Sequence, residues 1–207
     1  MSVEEATMPK FSIIMPAHNA ADRIRKALES IRSQTYKDYE LIVVCDACED
    51  DTEEIAREYG AQVEVVDFRN PGLTRSRGLD VATGEYVLFM DDDDWWLHEF
   101  VLEQIDGALE DYDLLCFAFI WKGRGYTSPW RQHGWFWPAV WNKCWRREAI
   151  GDTRFPSDYP DDLLFHNKMM EKFLTVKRWE MPMYYYNYWR EGSISCQMEP
   201  DLRTRKD

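Results

Sequence analysis

Four consecutive aspartates, Asp91 to Asp94, directly follow an apolar run of strand type at residues 85–90. Carboxylates packed this closely repel one another and raise one another's pKa unless a cation neutralises them. Oxygen ligands of this kind favour Mg²⁺ or Mn²⁺, ions that keep several waters and share substrate phosphates. The run therefore predicts a divalent-cation site at the end of a strand. A solvated acidic turn or the first turn of a helix is the alternative interpretation.

Strand and helix patterns alternate through the first ninety residues. Buried strands are predicted at four apolar runs, residues 11–15, 40–45, 62–68 and 85–90. Helices are predicted where apolar residues recur at helical spacing, over residues 24–31, 51–59 and 73–82. This order predicts an α/β fold with a Rossmann-like, mostly parallel, doubly wound sheet that has helices on both faces.

The pattern beyond residue 95 is less regular. Helices are predicted over residues 98–109, 145–150 and 161–173, and strands over residues 114–121 and 183–189. Residues 122–134 contain several glycines and a proline and are predicted to form a loop.

Polar residues follow three of the predicted strands at the point where each one ends. Pro16 to Asn19 follow the first, Asp46 follows the second, and the four aspartates follow the fourth. Ligands of doubly wound sheets bind beyond the carboxyl ends of the strands. These three groups therefore predict one binding site at that edge of the sheet.

Composition limits the classes of function. The chain has 207 residues, of which 45% are hydrophobic and 30% charged, as expected for one globular domain. Its formal net charge of −13 argues against a nucleic-acid partner, because binding the phosphate backbone requires a basic surface. A small anionic substrate stays compatible with this charge, since a cation and a few arginines can reverse the local sign.

Location is predicted to be cytoplasmic. No apolar run reaches the roughly 18 residues that a membrane span needs, and residues 1–10 lack the apolar core of a signal peptide. Five irregularly spaced cysteines indicate reduced thiols rather than a disulfide framework. The basic residues Arg203, Arg205 and Lys206 leave open a peripheral contact with the inner face of a membrane.

Several segments, in the right order, resemble the large inverting family-2 glycosyltransferases. Residues 11–19 and 28–44 resemble the opening of that family, and residues 84–94 resemble its strand ending in the DXD metal motif. Residues 70–78 are similar to a shortened form of its Asn-x-Gly…Ala-Arg-Asn-x-Gly segment. Features of its bacterial polysaccharide-type members are matched by three further segments: residues 141–143, 161–162 and 188–195.

This resemblance implies a GT-A fold and the transfer of a sugar from a nucleotide diphosphate, with UDP expected, to an acceptor hydroxyl. The acceptor would be a glycan, a lipid-linked sugar or a protein. Asp93 would hold Mn²⁺ or Mg²⁺, and Asp162 would be the general base. Asp46 would accept a hydrogen bond from the base of the nucleotide, and Asp91 would lie by the ribose. The donor-binding residues implied in this way are Pro16, Ala17, His18, Asn19, Asp46, Arg75, Asp91, Asp92 and Arg190.

Acceptor contacts are predicted less directly. Trp95 and Trp96 follow the aspartates at once and could stack on a sugar, whereas Trp141 and Lys143 are candidates by resemblance alone. We divide the chain into an N-terminal tail (1–10), a nucleotide-binding half (11–95), an acceptor-binding half of the same domain (96–195) and a C-terminal tail (196–207).

One segment departs from the family pattern. Cys45-Asp46-Ala47-Cys48 stands where Asp-Asp-Gly-Ser is common. The departure leaves open a non-catalytic nucleotide- or glycan-binding domain with a decayed site. A nucleotidyltransferase would need a glycine-rich loop after the first strand, which is absent, and no P-loop motif occurs.

Two other groups invite metal or redox interpretations. Cys45 and Cys48 form a C-x-x-C motif, but no second pair completes a zinc site, and we interpret them as buried structural thiols. His166 lies one helical turn after Asp162 and could extend a metal site, and we interpret it as an ordinary polar residue of its helix.

Overall fold

The computed structural model describes residues 8–129 and 137–188. Within them one sheet contains nine strands: β1 (Phe11–Ala17), β2 (Tyr39–Asp46), β3 (Gln62–Val66), β4 (Tyr86–Phe89), β5 (Trp95–Trp96), β6 (Leu114–Trp121), β7 (Gly125–Thr127), β8 (Lys143–Arg146) and β9 (Val176–Tyr186). The helices of the same residues are α1 (Ile24–Arg32), α2 (Thr52–Glu58), α3 (Pro71–Val81), α4 (Val101–Leu109), α5 (Arg147–Ile150) and α6 (Asp161–Met170).

The first half of the sheet is parallel, as the sequence pattern predicts. Its strands lie in the order β3-β2-β1-β4, and Ile14 of β1 lies opposite Ile42 of β2 and Phe89 of β4. These strands read as continuous apolar runs because helices cover both of their faces. The carboxyl ends of β1, β2 and β4 consequently lie side by side.

The second half of the sheet is mixed. β8 runs antiparallel to β4 and β6, β9 runs parallel to β6, and β5 pairs antiparallel with β9. β7 pairs with β6 inside the segment predicted as a loop. The predicted α/β fold with a mostly parallel sheet is confirmed, because the β1–β2, β2–β3, β1–β4 and β6–β9 pairs are all parallel.

Helices cover both faces of the sheet. α1, α2 and α4 bury residues such as Leu28 and Ile105 in one core cluster. α3, α5 and α6 bury residues such as Leu79 and Phe165 in a second cluster on the other face. Within the described ranges, no helix combines the length and the apolar character that crossing a bilayer requires.

The clearest difference from the predicted elements concerns residues 145–150, which we predict to be helical. Trp145 instead lies in β8, fully buried, where it pairs with Val87 of β4 and Leu114 of β6. Strand pairing on both sides overrides the local helical signal. Of the predicted helix, only the part in α5 is helical. β9 also begins well before the predicted residue 183, and Trp189, its predicted end, lies outside the described residues.

A glycine allows α3 to pack directly on β1. A Cβ atom on Gly78 would lie 2.3 Å from Cγ2 of Ile14, which is fully buried in the central strand of the parallel half. Because Ile14 is branched at Cβ and enclosed, it has little freedom to move away.

Gly78→Ala is therefore expected to lower the free energy of unfolding by about 1–3 kcal/mol through overpacking. Gly107→Ala in α4 is the matched control, because a Cβ atom there meets no atom of residues 8–129 and 137–188 within 4 Å. That control should gain about 0.5–1 kcal/mol from helix propensity. Urea denaturation measures both, and equal stabilities of the two variants would contradict the close contact.

Candidate active site

Strained backbone marks the carboxyl edge of the parallel strands. Asn19, Ala47 and Arg69 follow β1, β2 and β3, and each has a positive φ, of 44°, 49° and 52°. Residues other than glycine rarely adopt such angles, and the strain tends to cluster at functional sites. The edge predicted from the sequence is thus also the place where the backbone is most constrained.

The loops after β1 and β2 are bound to each other. Pro16 and Ala17 are the last residues of β1, and His18 and Asn19 begin the loop. Four hydrogen bonds join this loop to residues 46–52: His18 Nδ1 to Asp46 O (2.6 Å), Glu49 N to Asn19 Oδ1 (2.8 Å), Ala20 N to Thr52 Oγ1 (2.7 Å) and Ala21 N to Asp50 Oδ2 (2.9 Å). The loop after β2 therefore fixes the position of the predicted donor-binding residues at the end of β1.

Asp46 fastens β2 to the β3–α3 loop. Its Oδ1 accepts from the amides of Phe68 (2.7 Å) and Arg69 (2.8 Å), and its Oδ2 accepts from the amide of Asn70 (2.9 Å) and the Thr74 hydroxyl (2.7 Å). Burial alone would raise the pKa of Asp46, but these four donors outweigh it and hold the pKa below its ordinary value. A carboxylate offers about four acceptor positions. In this structure Asp46 positions the β3–α3 loop, and its contact with a nucleotide base stays a prediction.

Asp92 braces the loop after β1 through an arginine. Arg23 donates from Nε to Oδ1 (2.8 Å) and from Nη2 to Oδ2 (2.9 Å) of Asp92. The same guanidinium donates to the carbonyls of His18 (3.0 Å) and Asn19 (2.7 Å). Burial raises the pKa of Asp92 to about 6 even though Arg23 opposes the shift. Asp92 therefore acts on the predicted donor loop through Arg23.

Asp94 ties the aspartate run to the end of β9. It is 1% exposed and accepts from the Tyr184 hydroxyl and the Asn187 amide, both at 2.7 Å. The Tyr184 oxygen in turn accepts from the Asp91 amide at 3.2 Å. Burial raises the pKa of Asp94 well above its ordinary value, and the charges of Asp91 and Asp93 add to the shift.

Arg75 joins the aspartate run to α6. Its buried guanidinium donates to Asp91 Oδ1 (2.9 Å) and to Asp161 Oδ2 (2.7 Å). Asp162, the predicted general base, follows in the first turn of α6, and its Oδ1 accepts from the Leu163 amide at 2.8 Å. Burial raises the pKa of Asp162, although the charge of Arg75 opposes it. One arginine thus brings the predicted metal loop and the predicted base together.

α3 and the segment before α6 are in direct contact. A Cβ atom on Gly72 would lie 2.2 Å from the Pro156 carbonyl oxygen and 2.9 Å from Cβ of Asp161. Ser76 Oγ also accepts from the Phe155 amide at 2.9 Å. The close approach requires glycine, and it sets the distance between α3 and the first residue of α6.

The residues at this edge fit a divalent cation. Asp91 is about a quarter exposed, with a side-chain exposure of 26%, and Asp93 is half-buried. Across residues 8–129 and 137–188, no three acidic, histidine or cysteine side chains converge as a ready ligand set. Mg²⁺ and similar ions are commonly held by one or two carboxylates, with waters and substrate phosphates completing the shell. Burial is the main cause of the raised pKa values of Asp92 and Asp94, and the charges of the neighbouring aspartates add a smaller contribution that such an ion would offset.

Three of the four predicted acceptor residues are part of the core. Trp96 is 3% exposed, Trp141 is 6% exposed and stacks on Tyr184 at 4.8 Å, and Lys143 is fully buried. The Lys143 amine donates to the carbonyl oxygens of Trp137 and Ala139 and to the side chain of Asn142. Each of the three presents little or no surface here, and their acceptor role stays a prediction.

Trp95, the fourth, is half-buried between neighbours. Lys26 Nζ lies 3.0 Å from its ring centroid, and Tyr185 stacks on it at 4.1 Å. These partners cover the indole, which leaves little of it to bind a sugar. Arg190, a predicted donor-binding residue, lies outside the described residues.

Sequence reasoning missed Arg23 and Asn70. Arg23 occupies the N-cap position of α1 without a side-chain capping hydrogen bond. A cation there opposes the helix dipole, and this unfavourable placement could have marked Arg23 in the sequence. Asn70 is the N-cap residue of α3 and is followed by Pro71, a combination that commonly marks the start of a helix. His166 is buried, and burial together with the charge of Lys143 lowers its pKa to about 3, so it is neutral. Cys48 is half-buried, in contrast to the predicted buried thiol.

Arg23→Ala is expected to lower the free energy of unfolding at pH 7 by about 3 kcal/mol, because Asp92 loses its buried partner. The folded pKa of Asp92, about 6, lies above the unfolded value near 3.9. Its proton therefore stabilises the fold at low pH, and that stability is lost as the pH rises through 6. Removing Arg23 raises this pKa further, so the deficit should shrink between pH 7 and pH 5.

Arg25→Ala is the control for this experiment. Arg25 pairs with Glu58 in an exposed contact, with side-chain exposures of 53% and 52%. Such pairs contribute about 0–1 kcal/mol. Equal losses for Arg23→Ala and Arg25→Ala in urea denaturation at pH 7 would contradict the role given to Arg23.

Comparison with known proteins identifies the family and the fold of this chain. A model of the family described as "Glycosyl transferase family 2" matches residues 12–172. Glycosyltransferase GlyA of Streptococcus pneumoniae is 29% identical over 179 residues, which are 82% of this chain and 24% of GlyA. The solved structure of S. aureus TarS 1-349 with UDP-GlcNAc superposes with a TM-score of 0.77 at 25% identity, covering 89% of this chain and 60% of that one.

The mannosyltransferase PcManGT of Pyrobaculum calidifontis, in complex with GDP-Man and Mn²⁺, shares the fold. It has a TM-score of 0.69 at 18% identity and covers 90% of this chain and 59% of its own. The chain therefore spans less than two thirds of the length of each of these proteins. The family model matches more than half of the chain, and the sheet topology and the structural superposition agree with it. The chain therefore belongs to glycosyl transferase family 2 and has the GT-A fold.

Proposed function

We propose that this chain transfers a sugar from a nucleoside diphosphate to an acceptor hydroxyl, with inversion at the anomeric carbon and UDP as the nucleotide. The observation that carries the proposal is Arg75, whose guanidinium binds Asp91 of the aspartate run and Asp161 beside the predicted base. The UDP-GlcNAc bound to TarS, a protein of the same fold, supports the choice of nucleotide.

The donor would lie along the loops after β1, β2 and β4. Asp92 and Asp46 act indirectly here, since the first holds the β1 loop through Arg23 and the second holds the β3–α3 loop. Asp93, with Asp91 beside it, would hold a divalent cation against the diphosphate. When bound, that ion supplies a Lewis acid that neutralises the charge growing on the leaving phosphate.

Asp162 would remove the proton from the acceptor hydroxyl. Burial raises the pKa of this carboxyl, which makes it a stronger base than a solvated aspartate. The charge of Arg75 and the N-terminus of α6 favour its ionised form and so limit the shift. The displacement would proceed in one step, and the proton would pass from the hydroxyl oxygen to the carboxylate of Asp162.

The acceptor would be a glycan, a lipid-linked sugar or a protein, as predicted from the resemblance. The proposal includes a division of the domain at residue 95 into a nucleotide-binding half and an acceptor-binding half. It also includes a cytoplasmic location. Contact with the inner face of a membrane is part of the same proposal.

Asp162→Asn is expected to lower kcat for sugar transfer by about 10²–10⁴-fold, because the amide cannot take a proton. UDP binding should be retained, since the base acts on the acceptor. Activity of the unmodified enzyme should rise with pH through a pKa above the ordinary value near 3.9. Product formation from UDP-GlcNAc, followed across pH, measures both effects.

Asp158→Asn is the matched control, since Asp158 is exposed and precedes the same helix. It should leave kcat unchanged. UDP binding without turnover in the unmodified protein would instead favour a non-catalytic binding domain. Equal activity of Asp162→Asn and Asp158→Asn would remove Asp162 from the mechanism.

Asp93→Ala is expected to weaken Mn²⁺ binding in the presence of UDP by at least about tenfold, because one of few oxygen ligands is lost. Electron paramagnetic resonance of free Mn²⁺ measures binding without reference to activity. Asp111→Ala removes an exposed carboxylate just after α4, outside the aspartate run, and should leave the titration unchanged. Identical titrations for the two variants would contradict the assignment of Asp93.

A further inference from the structure

The segment Cys45 to Cys48, here called the thiol turn, brings two cysteines together at the edge of the proposed donor site. Cys45 is the next-to-last residue of β2, and Cys48 lies just beyond the strand. The positive φ of Ala47, 49°, reverses the chain between them. Cys45 belongs to the core cluster of the first face, Cys48 packs against that cluster, and both are free thiols.

The two thiols have different environments. Cys45 is fully buried in the core, and its interaction with Cys48 and its burial both raise its pKa. Cys48 is half-buried. Interaction with Cys45 lowers the pKa of Cys48, burial and the charge of Asp50 oppose the shift, and the Asn19 amide adds to it. An accessible thiol that ionises readily, beside a buried partner, is the arrangement found in reactive cysteine pairs.

The other cysteines of the described ranges have no such arrangement. Cys116 and Cys144 are fully buried, and burial raises the pKa of Cys116 to about 12 and that of Cys144 well above its ordinary value. Both are therefore inert thiols and serve as internal references.

We propose that the thiol turn is a reversible thiol–disulfide site that reacts with low-molecular-weight disulfides. The Cys48 thiolate attacks one sulfur of the small disulfide, forms a mixed disulfide and releases one small thiolate, which takes a proton from water. Cys45 then gives its proton to water and attacks Cys48 Sγ, which releases the second small thiol. Two protein thiols are oxidised to one disulfide, and one small disulfide is reduced to two thiols.

Oxidation would act on the loop after β1. Cys48 donates its S–H to the Ala17 carbonyl at 3.5 Å, and the disulfide removes this donor. The thiol turn also carries the Asp46 carbonyl that contacts His18 and the carboxylate that holds the β3–α3 loop. A bond between Cys45 and Cys48 therefore perturbs the two loops that line the proposed donor site. This consequence for the donor rests on the proposed function, whereas the thiol chemistry does not.

Mass spectrometry tests the chemistry directly. Trypsin releases both cysteines on one peptide, residues 38–57, while Cys116 and Cys144 lie on others. After treatment with oxidised glutathione, this peptide should lose two hydrogens, and dithiothreitol should restore them. Cys45→Ser should stop at a glutathione adduct on Cys48, and Cys48→Ser should stay unmodified. A peptide that keeps both thiols while free glutathione disulfide is in large excess would overturn the proposal.

Hydrogen exchange and UDP binding test the consequence. Amides of residues 17–21 should exchange faster in the oxidised protein, and its UDP affinity should fall by about tenfold, a coupling of ordinary size. Cys48→Ser, treated identically, should show neither oxidant effect. Unchanged exchange after complete disulfide formation would overturn the coupling to the loop. If the reduced protein fails to bind UDP, the proposed function fails instead, and the mass and exchange results still decide the thiol site.

Discussion

Electrostatic repulsion among four adjacent carboxylates after β4 is the interaction around which this site is organised. Three of them are held by partners from different parts of the chain, Asp91 by Arg75, Asp92 by Arg23 and Asp94 by Tyr184. Arg75 is bonded to Asp161 of α6 and Arg23 to the loop after β1, while Tyr184 is itself a residue of β9. The run that concentrates negative charge therefore also aligns the loops around it.

Such an arrangement fixes the geometry of the site more than it stabilises the fold. Arg75 is buried, and its Nε has no hydrogen-bond partner among the described residues, so part of its desolvation is uncompensated within them. Buried ion pairs seldom stabilise a fold more than apolar packing would, but losing one partner is strongly destabilising. The buried guanidinium fixes Asp91 and Asp161 relative to each other. Fixed charges of this kind need no reorganisation when a charged ligand binds.

The sequence predicts the parallel half of the fold well because burial on both faces leaves an unbroken apolar run, as in β1 and β4. It predicts the second half less well, since the strand pairing of β8 comes from distant segments. Site residues show the same division. The carboxyl edge was evident from residue types, but the saturation of Asp46 depends on a loop more than twenty residues away, and the burial of Lys143 depends on tertiary packing.

The missing side chain of Gly72 has a consequence for motion. With Pro156 and Asp161 filling the space that a Cβ would take, and with Phe155 bonded to Ser76, α3 has no room to slide against the segment that leads into α6. Packed interfaces are not continuously deformable, so we expect these two segments to move together. A hinge that opened the cleft would therefore have to lie outside this pair, and Asp162 would travel together with the β3–α3 loop.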